Sequence, residues 1–219
     1  MRLPPLKIQE LTARVPIIQG GMGIGVSLSS LAGAVAREGG IGVLSAAQPG
    51  YREPDFADHP HEANLRALSR EIHRAKEISG GGIIGVNIMC AMKNYEQYVK
   101  CCIDSGADLI ISGAGLPTNL PELVKGSGIK IAPIVSPPKS AKVLLKMWDR
   151  HHGTTADLVV IEGPKAGGHL GYSQEDLDKY AGTDYDKEIQ EILAIVAGYE
   201  EKYNKKIPVV FAGGVYDRA

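Results

Sequence analysis

The sequence predicts an α/β fold of repeating strand–helix units around a parallel sheet, and three observations predict it. Short apolar runs alternate with longer segments of helical period along the chain. Each run is bounded by glycine or proline. Several runs are uninterrupted rather than alternating, as strands of a parallel sheet read when both faces are covered.

Taken in order, the first run is Pro16–Gln19. After a glycine-rich stretch a helix is expected over Ser29–Glu38, capped near Ser27 or Ser29. Ile41–Ser45 precedes a helix over Ala63–Ile78, and Ile83–Met89 precedes one over Tyr95–Ser105. Asp108–Ser112 leads to Leu120–Gly126, where Asn119 and Pro121 mark the start. Ile129–Val135 leads to Ser140–His151, introduced by Ser136-Pro137-Pro138. In that helix Val143, Leu144, Met147 and Trp148 recur at helical spacing and read as core. Leu158–Glu162 and Ile207–Ala212 flank the last helix, Asp186–Tyr203. Basic residues gather near helix C-termini (Lys125, Lys142 to His152, Lys202 to Lys206), which suits the helix dipole. Seven strands in this alternation fit a doubly wound open sheet or a (β/α)8 barrel, and spacing alone does not choose.

Composition narrows the function. With 24 Lys+Arg against 25 Asp+Glu the net charge is −1, which excludes a strongly electropositive nucleic-acid binder. From Val15 to Ala36 no residue is charged, but Pro16, Gln19, five glycines and three serines break the stretch as a membrane span. The first fifteen residues hold Arg2, Lys7, Glu10 and Arg14 without the apolar core of a signal peptide. Three cysteines with no CxxC pair support neither a disulfide scaffold nor a zinc ribbon, and fit a reducing cytosol. A cytoplasmic protein with no membrane partner is expected. Glycine is in excess, 27 of 219 residues, or about 12% against a typical ~7%, and its positions carry the reading that follows.

In either design the loops after the strands build the site. The first is Gly20-Gly21-Met22-Gly23-Ile24-Gly25, whose backbone can approach a planar or phosphorylated ligand without Cβ clashes, or can serve as a flexible turn. Val26 stands where a GxGxxG fingerprint needs its third glycine. In Gly85-Val86-Asn87-Ile88, Asn87 interrupts an apolar run; its amide would suit the edge of a heterocycle or would satisfy local backbone. His169 lies between glycines in Gly167-Gly168-His169-Leu170-Gly171, poorly placed for packing and well placed for proton transfer. Glu162, at the end of its strand, could orient His169, contact a cofactor or pair with Lys165. Ala212-Gly213-Gly214 is a candidate phosphate loop. His59 and His61 form an HxH without an evident third ligand and read as surface, and His151-His152 as a solvated helix end. Cys90, Cys101 and Cys102 read as packing thiols.

Five of these motifs occur together and in order: Pro16-Ile17-Ile18-Gln19-Gly20-Gly21-Met22-Gly23, Gly85-Val86-Asn87-Ile88, Ser112-Gly113-Ala114-Gly115, Ala166-Gly167-Gly168-His169 and Ala212-Gly213-Gly214. From about Leu11 to the last residue the chain resembles the nitronate monooxygenase (2-nitropropane dioxygenase) family of FMN-dependent TIM-barrel enzymes. It is also similar to the neighbouring FMN-dependent enoyl-ACP reductases. The resemblance implies a TIM (β/α)8 barrel truncated after the seventh strand, with residues 1–219 as one FMN-binding domain incomplete at its C-terminus. It implies that the backbone of Gly21, Met22 and Gly23 runs along the flavin ring and that Asn87 hydrogen-bonds FMN. Glu162, Gly167 and Gly168 would line the flavin, Gly213 and Gly214 would hold its phosphate, and His169 would be catalytic. The implied reaction is oxidation of an alkyl nitronate (or nitroalkane) by O2 to a carbonyl compound and nitrite. Glu162 stands where many nitronate monooxygenases have Gln and enoyl reductases have Glu, which gives the alternative of an NAD(P)H-dependent enoyl-ACP reductase. A third expectation is an inactive barrel fragment, since an uncovered edge strand calls for a second copy or a partner chain.

Overall fold

Helix-covered apolar runs leave their backbone groups only one another to bond with, and six of them assemble into one parallel sheet. The structure, a computed structural model, describes residues 3–168, 171–180 and 185–214. A short antiparallel hairpin, β1 (Leu6–Ile8) and β2 (Leu11–Ala13), comes first. There follow α1 (Ser29–Arg37), β3 (Ile41–Ser45), α2 (Pro60–Ser79), β4 (Ile83–Met89), α3 (Tyr95–Asp104), β5 (Leu109–Gly113) and α4 (Leu120–Leu123). The chain continues through β6 (Lys130–Val135), α5 (Pro138–His152), β7 (Val159–Glu162), α6 (Gln174–Tyr180), α7 (Asp186–Tyr203) and β8 (Val209–Ala212).

The sheet order is β3-β4-β5-β6-β7-β8, all parallel. A doubly wound sheet must reverse its strand order at a switch point; this one never does, and that selects the barrel design. The run at Pro16–Gln19 is not a full strand. It adds a single parallel bridge, Ile18 to Ile41, outside β3. The sheet curls: Ile41 and Val43 of β3 share one apolar cluster with Leu158 and Val160 at β7, and with Ile83, Leu109, Ile111 and Ala132 between them. The other faces of the same strands (Leu44, Ile84, Val86, Ile88, Ile110, Val135, Val159, Ile161) pack against the helices.

Ile8 and Ala13 of the N-terminal hairpin join the inner cluster, so the hairpin plugs the end of the barrel where the strands begin. Polar contacts hold it there: Lys130 Nζ lies 2.7 Å from Glu10 Oε1, and Gln9 Nε2 donates to the carbonyl of Lys206. At that same end two carboxylates repeat one device. Asp108 Oδ2 accepts the N–H of Ile84 at 2.8 Å while both its oxygens sit 2.7 Å from Lys76 Nζ. Asp157 Oδ2 accepts the N–H of Ile131 at 2.9 Å and Oδ1 pairs with Lys205 at 2.8 Å.

Helix packing is tightest at α1. A Cβ on Gly42 would lie 1.8 Å from the carbonyl oxygen of Ala32, so only glycine lets this helix rest on β3. The α1 N-terminus is capped by neither expected serine side chain. The carboxylate of Glu71, on α2, accepts the N–H of Ser29 at 2.9 Å instead. In α5 the buried stripe is Ala141, Leu144, Leu145 and Trp148, while Val143 is exposed. Trp148 is wholly buried and donates Nε1–H to the carbonyl of Pro117 at 2.9 Å. His152 also differs from expectation, since its Nε2 donates to the carbonyl of Thr118 at 2.9 Å rather than to solvent.

Candidate functional site

Side chains of a strand alternate between faces, so the inner-face positions of β3 (Ile41, Val43) continue to Ser45, and that of β4 (Ile83) continues through Gly85 to Asn87. By the same alternation Val160 of β7 is followed on the inner face by Glu162. Asn87 and Glu162 thus reach the mouth of the barrel at the C-terminal ends of their strands.

The glycine loop lies directly on Asn87. A Cβ added to Gly21 would sit 2.5 Å from the Cβ of Asn87, and one added to Gly23 would sit 3.0 Å from the Cβ of Ala47. Met22, between them, is 45% exposed and contributes backbone rather than packing. The loop's own bonds converge on two side chains. Gln19 Oε1 accepts the N–H of Val43 at 3.1 Å, and its Nε2 donates to Ser27 Oγ at 2.8 Å and to the carbonyl of Gly20. Ser27 Oγ also accepts the N–H of Met22 at 2.9 Å and donates to the carbonyl of Gly20 at 3.1 Å.

On the far side of the sheet the other expected residues meet. Gly213 packs on Ala166, where a Cβ would come within 2.7 Å of its amide nitrogen, and Gly214 packs on the Lys165 side chain. Cβ atoms on Gly167 or Gly168 would meet nothing within 4 Å, so this backbone faces open space as a cradle for a flat or phosphorylated ligand must. Gly20 faces open space in the same way. Among the described residues Glu162 pairs neither with Lys165 nor with another charge; its Oε2 accepts from Ser136 Oγ at 3.0 Å and from the N–H of Gly171 at 2.9 Å.

Three residues that sequence reasoning passed over complete this wall. Ser136, buried, orients the Glu162 carboxylate. Tyr172 Oη lies 2.6 Å from both the carbonyl of Glu162 and the hydroxyl of Tyr185, and Tyr185 donates to the carbonyl of Ser136. Burial pushes the Tyr185 hydroxyl up to about 12, and burial followed by its neighbour Tyr185 pushes Tyr172 up as well. The signal available for these was the tyrosine spacing 172, 180 and 185, whose rings meet edge to face. For Gln19 the signal was the one that singled out Asn87, a polar residue closing an apolar run.

His169 lies outside the described residues. Ser112, of the third motif, turns away from the mouth: its hydroxyl donates to the carbonyl of Ile88 at 2.8 Å and lies 2.9 Å from Tyr95 Oη. Cys90 Sγ is 3.3 Å from the same hydroxyl and lines a separate cavity of about 450 Å³ with Tyr95, Leu116 and Pro117. Burial raises the thiols of Cys90, Cys101 and Cys102. Among the described residues no cluster of His, Cys, Asp or Glu could hold a metal ion, and no helix is long and apolar enough to cross a membrane. His61 is occupied by Gln97, its Nε2 2.5 Å from Oε1.

A family model described as nitronate monooxygenase matches residues 5–219. Among solved structures the chain is similar to a nitroalkane oxidase from Streptomyces ansochromogenes, at 22% identity and a TM-score of 0.66, covering 91% of this chain and 59% of that one. It is similar to FabK from Thermotoga maritima at 22% identity and a TM-score of 0.56, covering 89% of this chain and 57% of that one. These likenesses show the fold, and the chain spans less than two thirds of either structure's length. No curated protein matches.

Proposed function

The chain belongs to the nitronate monooxygenase family, and from that premise we propose that it is the FMN-binding part of an oxidoreductase acting on alkyl nitronates with O2. The observation that carries the reading is the convergence of two glycine loops, Asn87 and Glu162 on the strands' C-terminal ends, with open backbone at Gly20, Gly167 and Gly168. Such a mouth, flanked by uncluttered backbone, fits a flat phosphorylated cofactor. FMN, when bound, would supply the electron acceptance and oxygen chemistry that amino-acid side chains lack.

The chain's own residues have separable tasks in this reading. Gly21, Met22 and Gly23 present backbone to the ring, and Asn87 offers donor and acceptor from one amide to its heteroatom edge. Glu162, oriented by Ser136 and the Gly171 N–H, gives the opposite wall a fixed carboxylate. Gly213 and Gly214 offer N–H groups to the phosphate. His169 takes the α-proton of a neutral nitroalkane, or hydrogen-bonds the oxygens of a nitronate that arrives already ionised. The free cysteines fit a cytoplasmic location.

Glu162 favours a second reading, an NAD(P)H-dependent enoyl reductase. One experiment separates them. The purified chain is reconstituted with FMN and given ethylnitronate in air, with nitrite and oxygen uptake followed, and is separately mixed with NADPH without oxygen. Nitrite release with no NADPH bleaching supports the proposal. Rapid anaerobic bleaching without nitrite release would replace it with the reductase. A chain that takes up no flavin would sink both.

A further inference from the structure

We infer that Gln19 and Ser27 are positioning residues that set the backbone of the Gly20–Gly25 loop for the cofactor, an inference that rests on the flavin reading above. A loop this rich in glycine needs an anchor, and its apolar side chains do not provide one. Met22, Ile24 and Val26 are 45%, 51% and 53% exposed. The anchor is polar instead.

Where the chain leaves the sheet, Ile41 donates to the carbonyl of Ile17 and Gln19 donates to the carbonyl of Ile41, as neighbouring parallel strands do. The next rung would join the Val43 N–H to the carbonyl of residue 19. The side-chain oxygen of Gln19 takes that place at 3.1 Å. The backbone is thereby freed to turn into the loop one residue early without orphaning a buried amide. The two protons of the same side chain go to Ser27 Oγ and to the carbonyl of Gly20.

Ser27 has no exposed surface, and its hydroxyl reaches its full capacity of one donation and two acceptances. Its backbone closes the ring: Ser27 N–H donates to the carbonyl of Met22 at 2.9 Å, and Ser45 N–H donates to the carbonyl of Ser27 at 3.0 Å. Among the described residues, every hydrogen bond of Gly20 to Met22 therefore passes through these two side chains or the main chain beside them. A saturated network of this kind holds one geometry, because any displacement leaves a buried group unpaired.

The test uses the whole chain and four proteins: wild type, Ser27→Ala, Gln19→Glu and Asp108→Asn. Gln19→Glu keeps the acceptor for Val43, removes both donations and sets a carboxylate oxygen against the Gly20 carbonyl, so the Ser27 hydroxyl can bond one of these acceptors only by leaving the other. Asp108→Asn perturbs the opposite end of the barrel and serves as the stability control. Amide exchange at Met22 and Val43 is measured without flavin, and FMN affinity and the bound flavin's absorption bands are measured by titration. We expect faster Met22 exchange in both loop variants, shifted flavin bands and an affinity loss of about tenfold or more, the scale of one or two lost hydrogen bonds. Asp108→Asn should lower the melting temperature and leave Met22 exchange and FMN affinity as in wild type. FMN binding and bands unchanged in both loop variants would overturn this inference alone, as would losses no greater than in the control. Wild type that binds no FMN would overturn the functional reading and this inference with it.

Discussion

Gly21 and Asn87 touch so closely that a single methyl at Gly21 would lie 2.5 Å from the Asn87 Cβ and 3.3 Å from the carbonyl oxygen of Leu44. Neither neighbour is the free end of a flexible side chain, so the loop or strand β4 must move. Gly21→Ala is expected to cost about 1–3 kcal/mol, as overpacking does, and to weaken FMN binding by displacing the Asn87 amide. Gly20→Ala, one residue earlier, meets nothing within 4 Å and should leave thermal stability unchanged. Melting curves and flavin titrations of the two variants check the contrast.

Asp108 and Asp157 each hold the amide of the second residue of a neighbouring strand, Ile84 of β4 and Ile131 of β6, and a lysine. Asp108→Ala leaves the fully buried Ile84 with an unpaired N–H, for which the loss is about 2–3 kcal/mol, most of it from the orphaned amide rather than from the partly solvated ion pair. Urea denaturation should show the loss with no change in flavin affinity, because this end of the barrel is remote from the mouth.

Tyr172 and Tyr185 make the fold sensitive to alkali. Burial raises the Tyr185 hydroxyl to about 12, whereas in the unfolded chain it titrates near ~10. Between those values the unfolded state releases a proton that the folded state keeps. The stabilisation is therefore complete below pH ~10 and is lost as pH rises toward the folded value. Tyr185→Phe should flatten the fall in urea midpoint between pH 9 and 11 (chosen to span ~10) relative to wild type. An unchanged slope would show that the fall comes from other groups.

The thiols should be slow. Burial raises Cys90, Cys101 and Cys102, so little thiolate forms at neutral pH. Iodoacetamide labelling followed by mass spectrometry should proceed slowly in the folded protein, first at Cys90, which lines a cavity, and rapidly in urea.

Much of the fold is legible in the sequence because most strands are buried on both faces, by helices outside and by the barrel interior inside, and buried strands write themselves as unbroken apolar runs. Ile41–Ser45 and Ile83–Met89 coincide with β3 and β4, and Asp186–Tyr203 with α7. The hairpin at Leu6–Ala13 escapes because each strand has three residues and the turn at Gln9-Glu10 lacks the glycine or asparagine that marks a tight hairpin. Pro16–Gln19 reads as a strand and makes one bridge because a Gln side chain, not the backbone, continues the ladder. Helix α6 escapes because Gln174–Tyr180 carries almost no apolar stripe. Asn87 and Glu162 are legible as polar ends of apolar runs. Ser136 and Ser27 are not, since a buried serine whose partners are distant in sequence looks like any loop serine.

The Gln19–Ser27 anchor also bears on how this protein can change over time. Because the loop's shape is held by two polar side chains and its own main chain, the half-exposed side chains of Met22, Ile24 and Val26 carry little of it. Substitutions there can alter the surface a ligand meets while the barrel beneath stays intact. The scaffold thus separates the residues that inheritance must keep from those that selection is free to explore.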